Sequence, residues 1–194
     1  MWPYGVDAAK QAPALVIRAE NPKYFSRGAG SHVVVYVQGG QPFLHIEFLV
    51  VKPAAAGQGL GTKMFWRIAR ACLSLKIRKV TLVAIGGREV GPSSMPGDLS
   101  PRRWTGYAFW PGLGFDGKVP SSVRTFAAAN FPHHPPGIAT KTRVRQFYGS
   151  RDEEAFWRLC GATVSECEFD MFEGSASVDA LINRVETLYG VKNG

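Results

Sequence analysis

A largely apolar segment of this chain runs directly into three alternate glycines, and an amphipathic pattern follows them. Residues 43–51 come first, then Pro53, and then Gly57, Gly59 and Gly61 ahead of apolar residues at helical spacing. Alternate glycines let the backbone turn tightly, and the first turn of a helix has N–H groups without intrahelical partners. Such a loop at a helix N-terminus is suited to phosphate or pyrophosphate. The sequence therefore predicts a strand, a phosphate-binding loop and a helix in succession.

Neighbouring segments place this unit in an α/β fold. Residues 14–20 and 31–38 are rich in β-branched side chains and are predicted strands, and a hairpin turn at residues 39–42 leads into the strand 43–51. Residues 79–85 are almost wholly apolar, which is typical of a strand buried in a sheet. The result is a βαβ unit with parallel strands and the glycine loop at the carboxyl end of the first. Further along, the sequence predicts helices at residues 102–110, 152–159 and 177–188 and a strand at residues 162–171.

Charge is unevenly distributed along the chain, whose formal net charge is +8. Residues 152–194 contain nine acidic and three basic residues, which gives −6 and leaves +14 for residues 1–151. Residues 117–151 contain six basic residues and no acidic one. We predict one domain over residues 1–194 with a basic, loop-rich insertion at 117–151 and an acidic C-terminal segment at 152–194. The basic body suits an anionic cofactor, and residues 117–151 are a possible nucleic-acid contact.

Several classes of protein are excluded by what the sequence lacks. It has no apolar run of about 18 residues and no signal-peptide pattern, which predicts a soluble, cytoplasmic protein without a membrane partner. Cys72, Cys160 and Cys167 form no CxxC pair and are expected to be free thiols. His133 and His134 have no acid or cysteine at ligand spacing, so no metal site is expected.

Two common phosphate-binding motifs do not fit the glycine loop. A P-loop requires GxxxxGK[ST], but no lysine directly follows a glycine here, because Thr62 separates Gly61 from Lys63. A dinucleotide-binding GxGxxG fails at Thr62 counted from Gly57 and at Met64 counted from Gly59. The loop therefore indicates another kind of phosphate compound.

The segment resembles motif A of the GNAT superfamily, the N-acetyltransferases that depend on acyl-coenzyme A. That motif runs from a strand with V-x-P into [QR]-x-x-G-x-[GA], and the matching residues are Val51, Pro53, Gly59, Leu60 and Gly61. The likeness covers about residues 43–86. Ala56 stands where the motif has Gln or Arg, so a side chain that usually supports the loop is absent.

The resemblance implies a fold, a cofactor and a reaction. The fold is α/β (α+β), with a mixed, mostly antiparallel central sheet, a βαβ acyl-CoA-binding unit and helices on both faces. The cofactor is acetyl-CoA, and the reaction is direct acetyl transfer to a primary amine of a small molecule or a protein. The cofactor-binding residues that it implies are Leu49, Val51, Gly57, Gln58, Gly59, Leu60, Gly61 and Thr62.

The resemblance also indicates catalytic candidates on the strand before the loop. The base often lies four residues before the amide that holds the thioester oxygen; with Leu49 as that amide, the base is His45. Glu47 lies two residues further and faces the same side of the strand if no bulge intervenes. Histidine titrates near neutral pH without help, so His45 is preferred to Glu47.

The general acid is the sharpest departure from the family pattern. The two positions where the family commonly has a tyrosine are occupied by Trp110 and Trp157, and an indole N–H is not an acid at neutral pH. Tyr107 is the proposed substitute, with Tyr148 or water as alternatives. Two other functions therefore stay open: an inactive GNAT-like module that binds CoA or a partner, and a nucleic-acid-associated acetyltransferase acting on tRNA or protein.

Overall fold

The strands form one mixed sheet whose order follows the chain. The structure is a computed structural model, and it describes residues 15–21, 23–25, 31–87, 105–131 and 137–190. The strands are β1 (Leu15–Ala19), β2 (Ser31–Gln38), β3 (Gln41–Phe48), β4 (Lys79–Ala84) and β5 (Val164–Asp170), and the helices are α1 (Leu60–Ser74), α2 (Gly106–Phe109), α3 (Ser121–Asn130), α4 (Arg151–Cys160) and α5 (Ala176–Tyr189).

The sheet contains the predicted βαβ unit. Strand β1 pairs antiparallel with β2 and β2 pairs antiparallel with β3, whereas β3 pairs parallel with β4 and β5 lies beside β4. Gly39 and Gly40 both have positive φ, 57° and 75°, which is the geometry of a tight two-residue hairpin turn between β2 and β3. The prediction of a mixed, mostly antiparallel sheet with helices is confirmed.

The end of β3 differs from the prediction. The sequence predicted a strand over residues 43–51, but β3 ends at Phe48. Its ladder with β2 ends at the pair His32↔Phe48, and its ladder with β4 already ends at Ile46↔Leu82. The β-branched residues 50 and 51 favour a strand, but a strand continues only where a neighbour pairs with it.

Helix α1 is amphipathic, as predicted. Its inward residues Phe65, Ala69 and Cys72 are buried, and Lys63 and Arg67 on the other face are exposed. The sequence contains no acidic residue between positions 48 and 88, so the charged side chains of α1 are all positive. The N-terminus of α1 therefore combines the helix dipole with basic residues.

The chain divides into two compact units. The first unit consists of residues 1–82 and 169–194, and the second of residues 83–168. In the first unit the ring of Phe65 packs edge-on against Phe169, with centroids 5.0 Å apart. In the second, Trp157 is fully buried and its ring lies 5.1 Å from that of Phe147. A single domain over residues 1–194 stays a prediction.

The basic segment 117–151 contains more regular structure than the sequence indicated. Helix α3 occupies ten of its residues, and short 3-10 helices occupy Ile138–Thr140 and Val144–Tyr148. Val123 and Ala127 of α3 are buried one helical turn apart. The i, i+4 spacing of these two apolar residues after Pro120 is the sequence pattern from which this helix could have been predicted.

The predicted elements of the acidic segment form with small shifts. Helix α4 begins after Ser150, whose side chain accepts a hydrogen bond from the Glu153 amide, and β5 and α5 follow. The helix predicted at residues 102–110 is shorter: α2 covers Gly106–Phe109, and residues 101–104 lie outside the described residues. Pro111 begins a separate 3-10 turn directly after it.

Candidate functional site

The glycine loop has the geometry of an anion-binding turn. Gly57 and Gly59 have φ angles of 78° and 72°, in the left-handed region, and α1 begins at Leu60. The Lys63 amide donates to the Gly59 carbonyl across 3.0 Å. This is the first hydrogen bond of the helix, so the amides of residues 60–62, which come earlier in the chain, have no acceptor within the helix. The loop thus presents consecutive N–H groups at the positive end of the α1 dipole.

Two side chains support the loop from within the first unit. Gln58 Nε2 donates to the Ala54 carbonyl across 3.0 Å, so the side chain braces the turn. The hydroxyl of Tyr189, the last residue of α5, donates to the Gly59 carbonyl across 3.0 Å. Ala56, which stands at the position of the usual supporting Gln or Arg, is exposed. Gln58 and Tyr189 therefore stabilise the loop where that side chain is absent.

The strand that leads into the loop separates from its parallel neighbour. The β3–β4 ladder has only three residue pairs and stops at Ile46↔Leu82, although β3 continues to Phe48. A register shift against β2 places Glu47 as the extra residue of a bulge. Among the described residues, the amides of Leu49 and Val51 have no acceptor. These amides are the ones that a ligand could use.

His45 lies in the middle of the sheet, between β2 and β4. It pairs with Val34 on one side and with Thr81 on the other, and it is 5% exposed. Its Nδ1 lies 2.9 Å from Thr81 Oγ1. Burial lowers the pKa of this imidazole, because the charged form loses solvation. In the tautomer with the proton on Nδ1, that nitrogen donates to Thr81 and Nε2 keeps a free lone pair.

Glu47 does not share the environment of His45. Because the bulge changes the alternation of side chains, Glu47 is exposed although it lies only two residues after a buried histidine. Burial raises the pKa of Tyr36, and the negative charge of Glu47 raises it further. The condition under which Glu47 and His45 face the same side, an unbulged strand, is not met.

The buried His45 gives a prediction for stability against pH. Its folded pKa lies below the ordinary value of 6.5, so below pH 6.5 the unfolded chain binds the proton more readily than the folded one. The imidazole therefore costs no stability above pH 6.5, and stability falls as the pH decreases from 6.5 towards the folded pKa. Urea unfolding at several pH values should show His45→Gln losing less stability than the wild type over that range. If the free energies of unfolding of the two proteins changed in parallel with pH, the burial of a neutral His45 would be contradicted.

Tyr107 belongs to the second unit, where its hydroxyl is already engaged. It donates to the Arg158 carbonyl across 2.6 Å, and burial raises its pKa. Trp157, one of the two tryptophans at the usual acid positions, is fully buried and donates from Nε1 to the Tyr107 carbonyl across 2.9 Å. Trp110 is 7% exposed and packs edge-on against Phe115. Both tryptophans are core residues of this unit.

Tyr148, the alternative acid, is also engaged within the second unit. Its hydroxyl donates to the Ala108 carbonyl across 2.7 Å, and burial raises its pKa. Among the described tyrosines that the sequence offered as acids, neither Tyr107 nor Tyr148 therefore has an unengaged hydroxyl.

The cysteines and histidines add no further site in the described residues. Cys72, Cys160 and Cys167 are free and buried, and burial raises the pKa of Cys72 to about 11 and of Cys167 to about 12. His133 and His134 lie outside the described residues. In the part of the chain that the structure describes, no group of three or more His, Cys, Asp or Glu side chains could hold a metal ion.

Half of the basic residues in segment 117–151 are paired with carboxylates. Asp116, which is 8% exposed, accepts from Arg143 Nε across 3.0 Å and lies 3.8 Å from Arg145 Nη2. Lys141 Nζ lies 2.8 Å from Glu153 Oε1. These ion pairs reduce the positive charge that the segment could offer to phosphate, and a nucleic-acid partner stays a prediction.

Comparison with known proteins gives a family match for part of the chain. Residues 15–88 match the family model for the acetyltransferase (GNAT) family, so the segment that contains β3, the glycine loop, α1 and β4 is of the GNAT type. The predicted resemblance is confirmed. No curated protein and no solved structure matches the chain significantly. None of the helices in the described part has the length and apolar character needed to cross a bilayer.

The residues of the first unit fit a coenzyme A. The glycine loop offers amides for a pyrophosphate, and apart from its chain neighbours no heavy atom of the described residues lies within 4 Å of the position where a Cβ on Gly57 would stand. The amides of Leu49 and Val51 follow the point where β3 leaves β4, in a stretch suited to an extended amide chain such as pantetheine. The first unit thus brings together His45, these amides and the loop, while Tyr107 belongs to the second unit.

Proposed function

We propose that this chain is an acyl-CoA-dependent N-acyltransferase that transfers acetyl directly from acetyl-CoA to a primary amine. The observation that carries the proposal is that β3 leaves its parallel neighbour just before a left-handed glycine turn that opens α1. The GNAT family match over residues 15–88 supports the same reading.

The residues of the first unit have distinct roles in this proposal. The pyrophosphate would be bound by the backbone amides of the glycine loop, which are those of Gly57, Gln58, Gly59, Leu60, Gly61 and Thr62. Those of Leu49 and Val51 would bind the pantetheine arm, with Leu49 also donating to the thioester oxygen. Acetyl-CoA, when bound, supplies the acyl group as a thioester.

His45 would accept the proton that the attacking amine must lose. Its lowered pKa keeps it neutral at pH 7, and with Nδ1–H donated to Thr81 its Nε2 is the accepting atom. Glu47, which is exposed at the bulge, is the alternative base, acting through water. A direct transfer of this kind needs no nucleophile from the protein.

One observation favours a second candidate, an inactive module that binds CoA. The hydroxyl of the proposed acid Tyr107 already donates a hydrogen bond to the Arg158 carbonyl, and the tryptophans at the usual acid positions are core residues. In the active candidate, water would supply the proton to the departing thiolate.

Two measurements in succession test the proposal. Isothermal titration calorimetry with acetyl-CoA should give micromolar binding, and its absence would overturn both candidates. Thiol release is then followed against a panel of small amines, polyamines, peptides and charged tRNA. Turnover with any member supports the transferase, and silence across the panel in a protein that binds acetyl-CoA supports the inactive module.

A further inference from the structure

Tyr189 connects the end of the acidic segment to the phosphate-binding loop. No local sequence pattern links the two, since 130 positions separate Tyr189 from Gly59. Tyr189 ends α5 and is 40% exposed, and its hydroxyl donates to the Gly59 carbonyl. The contact therefore lies at the surface of the first unit, where a ligand of the loop would also lie.

The position of Tyr189 is determined by a helix that is anchored at both ends. The Ser175 side chain accepts a hydrogen bond from the Val178 amide across 3.2 Å, and Gly190 ends the helix with a φ of 65°. Ser177 and Leu181 of α5 are each 2% exposed. The helix that carries Tyr189 is thus held by packing and by its caps, and the Tyr189 hydroxyl reaches the Gly59 carbonyl from its last turn.

The Gly59 carbonyl has a direct effect on the next amide. It accepts two hydrogen bonds, one from the Lys63 amide and one from the Tyr189 hydroxyl, each across 3.0 Å. In a planar trans peptide the C=O and the following N–H point in opposite directions. Two donors that hold the Gly59 carbonyl therefore also fix the direction of the Leu60 N–H, which is one of the unpaired amides of the first turn.

We infer that Tyr189 is a positioning residue for the pyrophosphate of the cofactor: its hydroxyl orients the Gly59–Leu60 peptide so that the Leu60 amide donates to the pyrophosphate. The inference rests on the proposed function and adds α5 to the cofactor site. The contact also accounts for the glycine at position 59, because a Cβ there would stand 2.9 Å from the Tyr189 hydroxyl oxygen. Only glycine lets the ring approach so closely.

Calorimetric titration of Tyr189→Phe with CoA and with dephospho-CoA tests the inference. The phenylalanine keeps the ring and removes the hydroxyl, so we expect both compounds to bind about three- to ten-fold more weakly, which corresponds to one hydrogen bond. The factor should be the same for both, because they share the pyrophosphate. Where turnover is measurable, KM for acetyl-CoA should rise while kcat is retained.

The matched control is Thr187→Val on the same helix. Its hydroxyl donates to the Asn183 carbonyl within α5 across 2.8 Å, so the variant loses a comparable hydrogen bond away from the loop. It should bind both compounds as the wild type does. Unchanged affinity in Tyr189→Phe, or an equal loss in Thr187→Val, overturns the inference. A wild type that binds neither compound overturns the proposed function, and this inference with it.

Discussion

Replacing Gly59 with valine is expected to weaken acetyl-CoA binding by about 30-fold or more. Gly59 has a φ of 72°, a conformation that costs a residue with a Cβ about 1–2 kcal/mol and a β-branched residue more. The new Cβ would also stand 2.9 Å from the Tyr189 hydroxyl oxygen and displace it from the Gly59 carbonyl. A loss of about 2 kcal/mol corresponds to about 30-fold in affinity. Titration calorimetry measures the change directly.

Gly174→Val is the control for backbone strain in this comparison. Gly174 has a φ of 73°, nearly that of Gly59, and it lies in the same unit. Apart from its chain neighbours, no heavy atom in the described part of the chain lies within 4 Å of its Cβ position. The two variants should therefore lose similar stability in thermal unfolding, but only Gly59→Val should lose affinity. Equal affinities for acetyl-CoA in the two variants would remove the glycine loop from the cofactor site.

The features that the sequence predicted are local ones. The glycines, the proline and the helical spacing of α1 all lie within about 30 consecutive residues, and each acts through its own backbone or its near neighbours. Gly57 and Gly59 turn the chain as expected, and Gly61 lies within α1. The loop and its helix could therefore be predicted closely.

The features that the sequence missed depend on partners distant in the chain. The end of β3 is determined by β2 and β4, and its bulge changes the side on which Glu47 lies. The contact of His45 with Thr81 spans 36 positions and follows from the parallel register. No local pattern encodes such contacts, because they arise only when the strands pair.

His45→Gln is expected to lower kcat for acetyl transfer by about 100-fold or more. A positioned general base contributes about 10²- to 10⁴-fold, and glutamine can still hydrogen-bond to Thr81 but cannot take up a proton. KM for acetyl-CoA should change little, because the amides that would bind the cofactor are unchanged. Steady-state thiol release with the best amine of the panel gives both constants.

The pH profile separates a base from a structural histidine. In the wild type, kcat/KM should fall as the pH decreases through the pKa of His45, which lies below 6.5, because the protonated imidazole cannot accept the amine proton. His45→Gln should lack that decrease.

Glu47→Gln and Thr81→Val complete the comparison. Glu47→Gln should keep both the rate and the pH dependence if His45 is the base, since Glu47 lies on the bulge and is exposed. Thr81→Val removes the partner of Nδ1 and should lower kcat by less than His45→Gln does, because the imidazole remains. Full activity in His45→Gln with a large loss in Glu47→Gln would transfer the role of base to the carboxylate.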